Sequence, residues 1–418
     1  MIRRRPVVAV LLTTALLGGC VTPATRWVSP TSGKGATSAA PSSSGGEVPL
    51  ARWRSCPELA REILERVPAN VEFSCATVAV PQDWATATGA VPSDGKTFDI
   101  SLVRVHSTAQ RAAERIGSVV VNPGGPGASG VETAVQLASA IPVEVTRRFD
   151  LVGFDPRGVG RSAPVRCTAD ADLDAYFGAE PDPTAQTDFD AVAALQRGIA
   201  QKCGERYGDS LRLFSTEQTA RDMDAVRAAV GDQKLTYLGF SYGTLLGAVY
   251  GQLFPQRVRA MVLDGAVDPT QTLTQSAEGQ AKGFERAFDN FATWCRSTPA
   301  QCPVAPDARA VVMAALAKAR SNPASTSAGR KATAGWVFLA VIQSLYLRSF
   351  WPRLANAMES LRRGNPTQIF SLADEYGRRG PNGSYENMFD AFSVISCTDD
   401  DQAPTVEQSF RSYQIVRS

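Results

Sequence analysis

The sequence predicts an α/β fold built on a doubly wound, mostly parallel sheet, and three observations support that prediction. The runs 119–121 and 149–155 read as strands buried on both faces, because apolar residues dominate them. A third apolar run, 235–240, leads into Gly-x-Ser-x-Gly at 239–243, and a helix-like run follows. Strands that alternate with helices in this order form a parallel sheet with helices on both faces.

The other elements follow from periodicity and from helix start signals. Apolar–polar alternation predicts a strand at 98–105, after an early strand at 73–81. From about residue 270 the sequence changes to helical runs with aromatic and alanine-rich faces. A further strand is predicted at 258–264, and helices are predicted at 131–140, 216–230, 284–294, 308–319, 336–346 and 351–361.

The strand, turn and helix around Ser241 are the setting of an activated serine. Side chains close to the serine of so sharp a turn must be small, and Gly239 and Gly243 satisfy this requirement. Ser241 would stand above the sheet at a helix N-terminus, where free N–H groups favour developing negative charge. The alternative is an ordinary glycine-rich packing turn, since 34 of the 418 residues are glycine.

A second glycine-rich segment lies upstream, where the run 118–121 leads into Asn-Pro-Gly-Gly-Pro-Gly at 122–127. Hydrolases with this kind of serine turn place one N–H of the oxyanion hole on a loop after an early strand. The residue after the serine supplies the other N–H. Gly125 and Tyr242 are therefore the candidate donors, and a turn that needs positive φ is a compatible alternative.

Four motifs stand in the order found in a known family: 122–127, Phe-Asp-Pro-Arg-Gly-Val-Gly-Arg-Ser at 154–162, 239–243, and Leu-Asp-Gly-Ala-Val-Asp-Pro at 263–269. From about residue 50 onward, the chain resembles the α/β-hydrolase family of proline iminopeptidases and secreted tripeptidyl aminopeptidases. It is most similar to actinobacterial lipoprotein serine proteases and carboxylesterases. The resemblance implies a helical cap, inserted after the last of these strands, that roofs the active site and restricts access to small or N-terminal substrates.

A serine nucleophile needs a base, normally a histidine that a carboxylate orients. In this fold the chain order is serine, then the acid, then histidine. The single histidine, His106, precedes Ser241, and we interpret it as a strand-end residue and not as the base. The resemblance places the acid and the histidine on strands after the cap, and nothing after Asp399 resembles those strands. We therefore expect the N-terminal portion of a longer enzyme, with the C-terminal strands missing.

Other charged residues are candidates for secondary roles. Asp264 could be the triad acid, although we prefer a role in shaping the turn into the cap. Asp155 and Arg157 are expected to form a buried ion pair or to lock a turn. Asp399 and Glu285 could bind a substrate ammonium group, but a solvated surface charge is the preferred interpretation for each.

The N-terminus is a targeting segment. Basic residues at 3–5 precede an apolar run at 7–17 that is too short to span a bilayer comfortably. The run ends in Leu-Gly-Gly-Cys, which resembles a bacterial lipobox. Residues 1–19 are therefore predicted to be a lipoprotein signal peptide and Cys20 the lipidated residue, with an ordinary secretory signal as the alternative. Its acyl chains would anchor an exported protein to the outer face of the cytoplasmic membrane.

Three further segments are predicted. Residues 20–48 form a flexible tether, because they are rich in Ser, Thr, Gly and Pro and have no apolar period. Residues 49–270 form the N-terminal part of the α/β-hydrolase core, and residues 271–418 form the helical cap and the start of the return to the core. The 43 basic and 41 acidic residues give a net charge of +2, so nucleic acid is not expected as a partner.

The chain has eight cysteines, and exported proteins usually pair their thiols. Proximity in sequence favours the pairs Cys56–Cys75, Cys167–Cys203 and Cys295–Cys302. With Cys20 assigned to a lipid, Cys397 is expected to be left over. The resemblance implies that it pairs with a cysteine farther on. One histidine and paired cysteines leave few metal ligands, so no metal site is predicted.

These features together predict a serine hydrolase of the aminopeptidase type, which releases N-terminal residues or short peptides through an acyl-enzyme on Ser241. The resemblance implies short peptides with a free N-terminus, or small esters, as substrates. A carboxylesterase of the same fold is one alternative. A non-catalytic, truncated envelope lipoprotein is another, since the expected triad histidine and acid are absent. No cofactor is predicted, and the oligomeric state is left open.

Overall fold

The computed structural model describes residues 48–87, 95–183, 185–400, 405 and 407–411. The predicted signal peptide, the site of lipidation and nearly all of the tether lie outside these ranges, so those assignments stay predictions. Within the described ranges, no helix combines the length and the apolar character that crossing a membrane requires.

A seven-stranded sheet forms the centre of the fold. Its strands are β1 (Arg54–Ser55), β2 (Val71–Pro81), β3 (Thr97–Ser107), β4 (Gly117–Asn122), β5 (Phe149–Phe154), β6 (Leu235–Phe240) and β7 (Val258–Asp264). They lie in the order β1-β2-β3-β5-β4-β6-β7. Strands β5, β4, β6 and β7 are parallel to one another, whereas β3 is antiparallel to both β2 and β5. The predicted α/β-hydrolase fold with a mostly parallel sheet is therefore confirmed.

Every helix predicted from the sequence corresponds to an observed one. The helices up to the end of the sheet are α1 (Pro57–Ile63), α2 (Gly130–Leu137), α3 (Val143–Thr146), α4 (Asp170–Phe177), α5 (Gln186–Tyr207), α6 (Thr216–Ala229) and α7 (Tyr242–Leu253). After the sheet come α8 (Leu273–Ser297), α9 (Ala308–Ser321), the small hairpin β8 (Ala324–Ser325) and β9 (Lys331–Ala332), α10 (Ala334–Leu345), α11 (Trp351–Arg362), α12 (Thr367–Gly377) and α13 (Met388–Asp399).

The valines of β4 show why the sheet is covered on both faces. Successive side chains of a strand point to opposite faces, so Val119 and Val121 share one face and Val120 occupies the other. Val119 and Val121 belong to an apolar cluster with Val131 of α2. Val120 belongs to a different cluster, which includes Val226 of α6. Helices therefore pack on both sides, which is why β4 contains no exposed position.

A third apolar cluster joins the helices that follow β7. Its fully buried members include Phe288, Phe291, Leu354 and Met358. The preceding helices α4 and α5 contribute to the same cluster through Leu173, Tyr176, Phe177 and Ile199. The sequence did not predict this contribution, because both helices precede β6 along the chain and their periodicity does not say what they pack against.

The helix α8 begins at Leu273, well before the predicted start at residue 284. A capping box explains the difference: the Thr272 hydroxyl accepts the Gln275 N–H at 3.2 Å, and the Gln275 side chain accepts the Thr272 N–H at 3.0 Å. Small and polar residues fill the first turns of α8, so its aromatic periodicity becomes visible only later.

The outer edge of the sheet, β7, is unusually exposed for an apolar strand. Val262 is 60 % exposed and Leu263 37 % exposed. In the neighbouring strand β6, by contrast, Leu235 and Tyr237 are buried. Within the described part of the chain, β7 has β6 as its only strand neighbour. Unpaired backbone groups and apolar side chains are therefore presented together along this edge.

The three predicted disulfides, Cys56–Cys75, Cys167–Cys203 and Cys295–Cys302, are all present. The expectation that Cys397 is left over was wrong, because Cys397 is disulfide-bonded as well. That expectation depended on assigning Cys20 to a lipid, which made the number of remaining thiols odd.

Candidate active site

Ser241 has the backbone conformation of a sharp strand-to-helix turn. It joins β6 to α7 with φ 52° and ψ −122°, and φ is positive at only two other non-glycine residues of the described chain. The Ser241 N–H donates to the Asp264 carbonyl at 2.9 Å. The Thr244 N–H and hydroxyl donate to the Ser241 carbonyl at 2.8 and 2.7 Å. These bonds hold the strained residue from both sides while its side chain remains exposed.

The two glycines of the turn leave no room for a side chain. A Cβ on Gly239 would lie 2.5 Å from the Gly243 carbonyl oxygen, and a Cβ on Gly243 would lie 2.7 Å from the Asn122 carbonyl oxygen. Both distances are shorter than a Cβ tolerates, so α7 can approach β4 and β6 only without side chains at these positions. Small residues are therefore needed beside Ser241, as the sequence predicts.

The glycine-rich loop after β4 lies directly against the turn. Gly124 has φ 92°, and a Cβ on it would lie 2.4 Å from the Phe240 carbonyl oxygen and 3.0 Å from the Tyr242 nitrogen. Its N–H donates to the Asn122 side chain at 2.9 Å. Gly125, with φ 110°, follows in the same loop. Tyr242 is the first residue of α7, so its N–H has no partner within the helix.

A cavity of about 1770 Å³ brings the predicted site residues Ser241, Gly125 and Tyr242 together in one lining. Apolar residues of α10, including Phe338 and Ile342, form part of the same lining. The pocket thus has the two candidate N–H donors in the same lining as the serine, with apolar walls from the helices after β7. Such a pocket can hold an acyl group while a hydroxyl attacks its carbonyl.

Asp399 also lines this cavity, so the preferred interpretation as a solvated surface charge was wrong. It is the last residue of α13, and it accepts hydrogen bonds from the Thr216 N–H at 2.8 Å and the Thr216 hydroxyl at 2.5 Å. The Thr216 hydroxyl is also hydrogen-bonded to the Tyr242 phenol. Burial raises the pKa of Asp399 to about 6, although the hydrogen bonds from Thr216 act in the opposite direction.

The other two acidic candidates, Asp264 and Glu285, make contacts that stabilise the fold. The Asp264 main-chain carbonyl accepts the Ser241 N–H, which agrees with a role in shaping the turn. The side chain of Asp264 is exposed. The carboxylate of Glu285 accepts a hydrogen bond from Arg309 at 2.6 Å, so the two residues form an ion pair between α8 and α9.

The motif residues Asp155 and Arg157 lock the loops behind the turn, but not as a pair. Asp155 accepts bonds from the Ser129 hydroxyl at 2.5 Å and the Arg161 N–H at 2.8 Å. Arg157 binds Asp222 of α6 instead, at 2.6 and 2.7 Å. The predicted structural role of both residues is therefore correct, but the partner of Arg157 is Asp222 and not Asp155.

His106 lies at the other end of the sheet. It is near the end of β3, where Val105 is opposite Leu151, and its Nδ1 is 2.8 Å from the Asp150 carboxylate at the start of β5. Ser241 follows the end of β6, which is parallel to β4 and β5. His106 is therefore remote from Ser241, as expected of a strand-end residue.

The region that contains this site matches a known protein family. A family model described as alpha/beta hydrolase fold matches residues 117–392, from β4 into α13. The chain belongs to this family. The matched hydrolase region contains both the glycine-rich loop and the serine turn, so the two halves of the candidate site fall within what the family shares.

Three curated relatives are similar to this α/β hydrolase. Serine protease Hip1 of Mycobacterium tuberculosis is 39 % identical over 82 % of this chain and 67 % of its own. Carboxylesterase B of the same species is 38 % identical over 97 % of this chain and 76 % of its own. Tripeptidyl aminopeptidase of Streptomyces lividans is 34 % identical over 78 % of this chain and 60 % of its own. All three names are those of hydrolases, so the chain is by family a serine hydrolase, and both peptidase and esterase fit.

Proposed function

We propose that this chain cleaves a peptide or ester bond through an acyl-enzyme on Ser241. The observation that carries the proposal is the positive φ of Ser241 at the start of α7, with its exposed side chain in the same cavity as Gly125 and Tyr242. The Ser241 hydroxyl attacks the substrate carbonyl, and the Gly125 and Tyr242 N–H groups receive the oxyanion. Each such donor contributes about 3 kcal/mol to the transition state.

The two steps balance as an acyl transfer to water. In the first step Ser241 loses its proton and forms the ester bond, while the leaving amine or alcohol takes up a proton. In the second step water attacks the acyl group, and Ser241 regains its proton as the acid departs. His106 does not carry these protons, because it lies at the opposite end of the sheet. A base other than the histidine of this chain is therefore part of the proposal.

The substrate class is short peptides with a free N-terminus. The relatives called serine protease Hip1 and tripeptidyl aminopeptidase favour a peptide substrate. Arg378 is the one cation in the described lining of the cavity. The excess of carboxylates favours an ammonium group and comes from Glu217, Asp268, Glu375, Asp399 and Asp400. Small esters are the second candidate, favoured by the relative called carboxylesterase B.

Export is the proposed cellular context. Three disulfides in the described chain are consistent with an oxidising compartment. Attachment through a lipid on Cys20 remains a proposal from the sequence alone, with secretion as the alternative.

Covalent labelling tests the nucleophile. The purified chain is treated with an alkyl fluorophosphonate in the presence of imidazole as an external base, and the modified peptide is identified by mass spectrometry. We expect a single adduct on Ser241 that is lost in Ser241→Ala. Ser276→Ala is the matched control, because Ser276 lines the same cavity from α8 and should not affect labelling. No adduct on Ser241, or equal labelling of Ser241→Ala, would rule out Ser241 as the nucleophile.

A further inference from the structure

The helix α13 packs against the glycine-rich loop at its start and is linked to Tyr242 through Thr216 at its end. Its first turn lies against the glycine-rich loop, where a Cβ on Gly127 would be 2.5 Å from the Met388 carbonyl oxygen and 3.0 Å from the Phe392 nitrogen. Its last residue, Asp399, lies in the wall of the cavity that contains Ser241. One helix therefore connects the loop that contains Gly125 to the neighbourhood of the serine turn.

The connection at the end of α13 is a continuous chain of hydrogen bonds. The Thr216 hydroxyl has one proton, which it donates to the Asp399 carboxylate at 2.5 Å. The Tyr242 phenol must then donate its own proton to the Thr216 oxygen. Thr216 is 4 % exposed and Tyr242 8 % exposed, so water does not compete easily for these bonds. This series of hydrogen bonds runs from the end of α13, through the start of α6, to the start of α7.

The core holds α13 firmly along its length. The Asn387 side chain, at the N-terminal boundary of α13, donates to the carbonyls of Gly158 at 2.7 Å and Val165 at 2.9 Å. Asp390 accepts the Cys167 N–H at 2.8 Å, next to the Cys167–Cys203 disulfide. A helix attached through its first turn, with Val394 and Ile395 buried in its middle, can transmit a fixed position to its last residue.

We propose that Asp399 is a positioning residue, which holds the Tyr242 side chain through Thr216 and thereby directs the Tyr242 N–H at the oxyanion beside Ser241. This inference rests on the proposed function of Ser241. It assigns a role to the Asp399–Thr216–Tyr242 chain and to α13, in addition to the serine turn and the glycine-rich loop.

The surroundings of Asp399 support a functional reason for keeping a carboxyl there. Burial raises its pKa to about 6, the neighbouring Asp400 raises it further, and the side chain is bonded to a hydroxyl and an N–H of Thr216. A carboxylate that is costly to keep ionised at neutral pH is typical of functional sites. Its two acceptor oxygens satisfy both donors of Thr216 at once, which fixes Thr216 more tightly than a single acceptor could.

Kinetics of Ser241 phosphonylation test the proposal, because the rate constant at saturation and the probe concentration for half-saturation can be separated. Thr216→Val removes the hydroxyl and keeps the shape of the side chain, so the rate constant should fall about tenfold, with the half-saturating concentration unchanged. Thr216→Ser restores the hydroxyl and should return the rate to within about twofold of the wild type. Tyr242→Phe removes the other end of the same bond and should reproduce the effect of Thr216→Val.

Thr219→Val is the matched control. Thr219 is a buried threonine on the same helix, 1 % exposed, whose hydroxyl bonds only within its helix turn, to the Ser215 carbonyl. The rate constant should therefore be unchanged. Equal rate constants for the wild type and Thr216→Val would overturn the inference. A change in half-saturating concentration alone would also overturn it and would favour a role in binding. If the wild type is not labelled on Ser241, the proposed function fails, and this inference fails with it.

Discussion

Arg157 and Asp222 form a two-bond ion pair in which neither side chain is exposed. The Arg157 guanidinium also donates to the carbonyls of Gln82 at 2.6 Å, Pro81 at 2.9 Å and Leu213 at 2.9 Å. The pair therefore joins the end of β2, the loop after β5 and the helix α6. A buried charge with all of its donors satisfied is tolerated in a protein core, but the same charge without its partner is not.

Removing one member of this pair should destabilise the fold strongly. Asp222→Ala leaves Arg157 buried without a carboxylate, so the free energy of unfolding should fall by about 3–5 kcal/mol in urea denaturation. Glu217→Ala is the control on the same helix. It removes a half-exposed partner of Arg221 and should change the free energy by less than about 0.5 kcal/mol. If both variants lost similar amounts of unfolding free energy, the stabilising effect of the Arg157–Asp222 pair would not depend on its burial.

A methyl group at Gly124 should affect the active site more than the fold. Gly124 has φ 92°, and a Cβ there would lie 2.4 Å from the Phe240 carbonyl oxygen, so Gly124→Ala must displace the glycine-rich loop or the serine turn. We expect Ser241 labelling to slow by about 100-fold, as when an oxyanion donor is lost. Gly283→Ala is the control within α8, where a Cβ meets nothing within 4 Å. It should leave labelling unchanged and raise the free energy of unfolding by about 0.5–1 kcal/mol.

The sequence was sufficient for the elements and for the serine turn, because both are local patterns. Alternation and apolar runs predict β3, β4 and β5, and the spacing of glycines around Ser241 predicts the turn. The partners of buried charges are not local. Arg157 and Asp222 are 65 residues apart and Thr216 and Asp399 are 183 apart, so no window of sequence contains either pair. Arg157 follows the predicted strand 149–155 and Thr216 and Asp222 lie in the predicted helix 216–230, whereas no element was predicted around Asp399.

Asp399 should make the stability of the fold depend on pH. Its pKa is about 6 in the folded protein against an ordinary value of 3.8 for an aspartate, so the folded state binds this proton more tightly than the unfolded state does. The contribution of Asp399 to the free energy of unfolding is therefore fully present below pH 3.8. As the pH rises through about 6, this contribution is lost, and the free energy of unfolding falls by up to about 3 kcal/mol. Asp399→Asn cannot titrate. The difference in unfolding free energy between the variant and the wild type should therefore change between about pH 4 and pH 6 and be constant above about pH 7. A difference that does not vary with pH would contradict the raised pKa.

An external base should accelerate the labelling of Ser241. The only histidine of the sequence is remote from the serine, and the cavity of about 1770 Å³ can admit a small molecule beside it. General base catalysis contributes about 10²–10⁴-fold to such reactions, so imidazole should raise the labelling rate at least about tenfold. Pyrazole has a similar shape and is far less basic, and it should have little effect. Equal rates with imidazole, pyrazole and buffer alone would show that no base can reach Ser241 from the cavity.

The exposed edge at β7 should promote self-association. Val262 is 60 % exposed on a strand whose outer side has no strand partner within the described chain, and such edges pair readily with other chains. Val262→Lys places a charge on this edge without disturbing a buried contact. The free energy of unfolding should change by less than about 0.5 kcal/mol, because surface substitutions rarely do more. The proportion of oligomers in sedimentation velocity should decrease. Val262→Ile keeps the edge apolar and should associate like the wild type. If Val262→Lys and Val262→Ile associate equally, self-association does not depend on this edge.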